Sequence, residues 1–105
     1  MLTLIGLSNV ILLSGCGVGG SVTATMLSCS QDRFIGSQVQ IINSTSDLKD
    51  VSVTVGYFDQ NGTEVDSQYA ITTVPAHTTA IGNTYFGPAN LASGCKVISI
   101  LAVRH

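Results

Sequence analysis

Charge is what this chain has least of. Its 105 residues include four Lys or Arg and six Asp or Glu, so 10% are charged and the formal net charge is −2. A typical domain carries about a quarter charged residues. Nucleic-acid binding needs a basic stripe, and the four scattered cations, Arg33, Lys49, Lys96 and Arg104, do not make one. The same shortage excludes charge-driven attraction to an anionic membrane surface. Tryptophan is absent, and there are only two histidines, His77 and His105. With three cysteines, these offer no tetrahedral zinc spacing, so no metal ligands are assigned. Strong helix-forming stretches are missing too; Ala89-Asn90-Leu91-Ala92 could form a single turn. Low charge does not mean disorder here, because apolar residues make up 45% of the chain and are regularly placed.

The apolar material begins at once. Residues 2–13 are uncharged and have the length of a signal-peptide core, too short to span a membrane comfortably. Small Ser14 and Gly15 follow, as cleavage by a signal peptidase requires. Leu13-Ser14-Gly15-Cys16 resembles a bacterial lipobox. The resemblance implies that residues 1–15 are a lipoprotein signal peptide, that Cys16 carries an acylated glyceryl group such as a palmitate-bearing one, and that residues 16–21 tether the lipid to the fold. One feature departs from the pattern: the first basic residue is Arg33, so Met1 supplies the only positive charge of the leader. The alternatives are a single transmembrane anchor, or a hydrophobic first strand with Cys16 as a buried thiol.

Gly15-Cys16-Gly17-Val18-Gly19-Gly20 also matches G-x-G-x-x-G. That fingerprint works only where the loop opens a helix inside a βαβ unit. Here it opens Ser21-Val22-Thr23-Ala24-Thr25-Met26, which is β-branched, so no nucleotide cofactor is expected. If lipid takes Cys16, then Cys29 and Cys95 remain as a pair. Export permits a disulfide between them, across a loop of roughly 67 residues. Two buried free thiols are the other possibility.

Beyond the tether the chain reads as short strands divided by turns. Residues 22–28 alternate weakly, and residues 35–43 carry Val39, Ile41 and Ile42. Asn43-Ser44-Thr45-Ser46-Asp47 is turn chemistry. Val51-Ser52-Val53-Thr54-Val55-Gly56-Tyr57 is the clearest alternation, with one face buried and one wet. Asp59-Gln60-Asn61-Gly62 predicts a hairpin, with Asn-Gly supplying positive φ. Residues 65–73 return, Pro75-Ala76 breaks the ladder, and residues 77–86 form a further strand. Residues 95–103 are nearly all apolar, which predicts a central strand. About six or seven short strands of this kind indicate an all-β antiparallel sandwich over residues 22–105.

Val55-Gly56-Tyr57-Phe58-Asp59, followed by Asn61-Gly62 and Val65, resembles the signature of FxLYD domains, small immunoglobulin-like domains of exported bacterial proteins. Asn43-Ser44-Thr45-Ser46-Asp47-Leu48-Lys49-Asp50-Val51 is similar to their entry into the first long strand, and Pro75-Ala76-His77-Thr78 stands where they carry a proline-glycine turn. Val55 and Tyr57 replace the signature's phenylalanine and leucine. The resemblance covers about residues 22–104 and implies a sandwich in which Cys95 pairs with Cys29. It implies no catalytic residues.

Little else suggests chemistry. His77 beside Pro75 has no nucleophile elbow or acid partner in sequence, so it reads as a turn histidine. Asp59, Asn61, Glu64 and Asp66 loosely echo a calcium loop but lack its fixed ligand spacing. Asn43-Ser44-Thr45 and Asn61-Gly62-Thr63 match the glycosylation acceptor pattern, which is idle in a bacterial lipoprotein. Alternation sets Tyr57 and Phe58 on opposite faces, one in the core and one partly exposed. The expectation is a non-enzymatic envelope protein, anchored in a membrane through lipid on Cys16. Its sandwich-end loops would contact a protein or cell-wall partner. A small extracytoplasmic hydrolase or metal-binding protein is one alternative, and a structural surface lipoprotein without a dedicated ligand is another.

Overall fold

A computed structural model describes residues 10–14, 21–30, 35–85, 87–88 and 92–105, the first of these segments by its backbone alone. Seven strands run in the order β1 (Val10–Ser14), β2 (Ser21–Ser28), β3 (Gln38–Asn43), β4 (Lys49–Phe58), β5 (Glu64–Val74), β6 (Thr78–Asn83) and β7 (Gly94–Arg104). Every pairing is antiparallel. One sheet has the order β1-β2-β3-β6 and the other β5-β4-β7, and the described residues include no helix. The protein is an all-β sandwich.

Alternation builds the core. Val51, Val53, Val55 and Tyr57 of β4 are buried, and they face Val22, Ala24 and Met26 of β2 and Val39 and Ile41 of β3. Ala70 and Val74 of β5 and Cys95, Val97 and Ile100 of β7 complete the contact. Close-packed aliphatic side chains of this kind supply the main driving force for folding.

β7 is not central, as its apolar run suggests, but at the edge of its sheet, with β4 in the middle. The apolar run looks continuous because β7 carries a bulge. Thr54 pairs with Ser99 and the next residue, Val55, with Val97, so Ile98 is an extra residue on β7. The inward phase shifts by one there, from Cys95 and Val97 to Ile100. Two interleaved phases read in sequence as one continuous run.

The strand expected over residues 77–86 is shorter, Thr78–Asn83, and Thr84 then bridges to Ala70 of β5. The strand expected from residue 35 begins at Gln38, because Gly36 turns the chain with φ +75°. β1 lies in the segment that the sequence assigns to the leader, and it pairs with β2 from Val10↔Thr25 to Ser14↔Ser21. Cys16, the expected lipidation site, lies outside the described residues, as does most of the Ala89-Asn90-Leu91-Ala92 turn.

Cys29, just after β2, and Cys95 on β7 form a disulfide, with Cα atoms 5.9 Å apart. It staples one sheet to the other. Beside it is a buried polar cluster. Ser37 N–H donates to Thr84 Oγ1 at 2.7 Å, and Thr84 N–H donates to Ser37 O at 2.9 Å. Ser37 Oγ also lies 2.6 Å from the Tyr57 hydroxyl and accepts from Ser30 N–H. The opposite end is pinned by Asn43, which is fully buried. Its Nδ2 donates to Asp47 O, Val74 O and Pro75 O, and its Oδ1 accepts from Thr45 N–H and Oγ1. With its carboxamide occupied in this way, Asn43 is not a glycosylation acceptor in the folded domain.

Candidate functional site: the open face of the three-stranded sheet

The inward set of β4 places Asp50, Ser52 and Thr54 on the outer face of the sheet. Register sets Ser52 between Ile71 of β5 and Leu101 of β7, with Thr54 between Tyr69 and Ser99. Ile71 is 69% exposed and Leu101 63%. Tyr69 and Val103 are also exposed. Short polar side chains therefore line a floor between two taller apolar columns, which stand about 10 Å apart at ordinary strand spacing. The exposed apolar side chains thus stand on either side of a polar strip on one sheet face.

Each end of this trough has its own chemistry. At one end Phe58 and Ile98 close over Gly56, and Lys96 Nζ sits 4.8 Å from the Phe58 ring centroid. Such a contact at an exposed site is worth about 0.5–1 kcal/mol. Tyr57 is in the core and Phe58 half-buried on the outer face, as alternation requires. At the other end, Asp50 Oδ1 accepts from Thr73 Oγ1–H at 2.8 Å and lies 2.8 Å from His105 Nδ1. Thr73 is bonded to the carboxylate and not to the imidazole, so the group is not arranged as a nucleophile–base–acid relay.

The His105 hydrogen bond, and after it that of Thr73, holds the Asp50 carboxyl below the ordinary carboxylate value. The folded value therefore lies below the unfolded one. The stabilisation from this group is complete above the ordinary carboxylate range and disappears as pH falls through the depressed value. An NMR titration is expected to show a lower midpoint for Asp50 than for an aspartate without such partners. His105→Ala should move the midpoint up; no movement would remove His105 as the cause.

The residues considered for chemistry in sequence do not converge. His77 is exposed on the β5–β6 turn at φ +56°, and its N–H donates to Thr45 O. Asp59 Oδ1 accepts from the Asn61 and Thr63 amides at 2.9 and 3.0 Å, so this carboxylate organises its own turn. Of Asn61 and Gly62 only the glycine takes positive φ, which makes this the longer hairpin loop rather than the tight mirror-image turn. Asp66 Oδ1 caps Ser67 N–H. Among the described residues, no group of three or more His, Cys, Asp or Glu side chains is placed to hold a metal ion, and no helix is long and apolar enough to cross a membrane.

Sequence reasoning put the contact surface in the loops; of the exposed large apolar side chains, Tyr69, Ile71, Ile98, Leu101 and Val103 belong to β5 and β7, Ile42 and Ile81 to the other sheet, and Ile35 and Tyr85 to loops. The signal was present in the apolar residues of β5 and β7 that do not share the inward phase. No known protein family matches the chain, and no curated protein or solved structure was found to be similar.

Proposed function

We propose that this chain is a non-enzymatic, lipid-anchored protein of the bacterial cell envelope. It is held outside the cytoplasm by lipid on Cys16, and its immunoglobulin-like, FxLYD-type sandwich contacts a protein or cell-wall partner. The observation that carries this reading is the use of the cysteines. Cys29 and Cys95 are joined to each other. That leaves Cys16 alone, directly after a short apolar run and two small residues. A disulfide suits an oxidising compartment, and a lone cysteine at that position suits a lipid.

The face around Ile71 and Leu101 supports the partner half of the reading. Exposed aliphatic and aromatic side chains over a polar floor fit a surface of protein-contact type. A photoreactive side chain placed at Ile71 or at Leu101 in the anchored protein is expected to give one discrete adduct, and the same group at exposed Thr63 none. With the photoreactive group at Leu101, Ile71→Asp should abolish the adduct at little cost in thermal stability, since Ile71 faces solvent. Equal labelling from all three positions would remove the sheet face as the contact surface.

A further inference from the structure

The four-stranded sheet ends at β1, and loss of β1 on processing would leave β2 as its edge. Ser21 O accepts from Ser44 N–H at 2.9 Å on the β3 side. Successive residues of a strand turn their backbone groups to opposite sides, so Val22 and Ala24 turn theirs to the other edge. There Leu13 pairs with Val22 and Ile11 with Ala24. Cleavage before Cys16 would take these partners away. The exposed β2, Ser21-Val22-Thr23-Ala24-Thr25-Met26-Leu27-Ser28, has no charge and no proline. It lacks those common devices by which edge strands avoid further pairing.

We propose that the β2 edge of the processed protein accepts an extended, uncharged aliphatic strand from a partner polypeptide, antiparallel to Val22–Thr25. This rests on the lipoprotein reading, because it requires loss of residues 1–15. The chemistry of the occupant is set by the strand that fits there in the full chain, Val10-Ile11-Leu12-Leu13-Ser14, which is aliphatic and uncharged. Main-chain hydrogen bonds to Val22 and Ala24 would supply affinity, and alternate side chains selectivity. The strand seated there in the full chain is aliphatic at four successive positions, whereas β2 itself alternates with Ser and Thr, so a second copy does not present the same kind of strand.

The test uses the processed protein extracted from its membrane, with the N-terminus read by intact mass. The probe is a synthetic peptide of residues 10–14 flanked by lysines, against the same peptide with Ile11→Pro. Saturable binding is expected, weaker by about tenfold or more for the proline peptide, which lacks the donor facing Ala24. Amide exchange at Val22 and Ala24 should slow on binding, while Val53 in the central strand is unchanged. For protein starting at Cys16, three results would each overturn the inference alone: no saturable binding, equal binding of the proline peptide, or a dimer that the peptide does not dissociate. Protein starting at Met1 would overturn the lipoprotein reading, and the inference with it, because β1 would still hold the edge.

Discussion

Replacing Cys29 and Cys95 together by Ser is expected to lower the unfolding free energy by about 4 kcal/mol, the chain-entropy value for a loop of this length. The sequence separation is 66 residues, and the bond joins the end of β2 in one sheet to β7 in the other. A single small domain has about 5–15 kcal/mol in all, so the double variant should be marginal at best. Urea denaturation of oxidised protein, reduced protein and the double variant measures the effect. Reduction and substitution should agree, because both remove the same constraint. A loss below about 1 kcal/mol would mean that packing alone holds the sheets together, and the staple account would fail.

Gly36→Ala is the second large effect. Gly36 has φ +75°, and a Cβ there would sit 1.8 Å from Thr84 O. The left-handed backbone costs a non-glycine residue about 1–2 kcal/mol. Displacing the buried Thr84 backbone adds about 1–3 kcal/mol, the usual range for overpacking. A loss of about 3 kcal/mol is therefore expected in thermal or urea melts. The clash falls on Thr84, whose N–H and Oγ1 both serve Ser37, so the loss should come with faster amide exchange at Ser37 and Thr84. A melt within experimental error of the parent would show that residues 35–37 can move aside freely.

How much was legible in the chain follows from phase. β4 keeps one phase from Val51 to Tyr57, and its face assignment is read directly from alternation. β7 does not, because Ile98 is inserted and because Leu101 and Val103 are apolar on the wet side. A buried central strand and a bulged edge strand with an apolar outer face give the same string of letters. Its place at the edge is decided by pairing with β4, which no local pattern encodes. The disulfide was legible by counting, once Cys16 was set aside. The roles of Gly36, Ser37 and Thr84 were not, since they meet across 47 residues of sequence through backbone groups. Asn43 was legible as a turn residue; its part in tying the end of β5 to the loop after β3 was not.

The candidate surface shows the same limit. Tyr69, Ile71, Leu101 and Val103 come together only because β4 lies between β5 and β7. Each alone is an unremarkable apolar residue of a strand.

The central claim is that three cysteines divide into one lipid anchor and one disulfide. Intact mass of the native protein, kept non-reduced and with free thiols alkylated, tests it most directly. The account predicts a species that begins at Cys16, is heavier by an acylated glyceryl group, and carries no alkyl label at Cys29 or Cys95. A full-length, unlipidated species with alkylated thiols would contradict it.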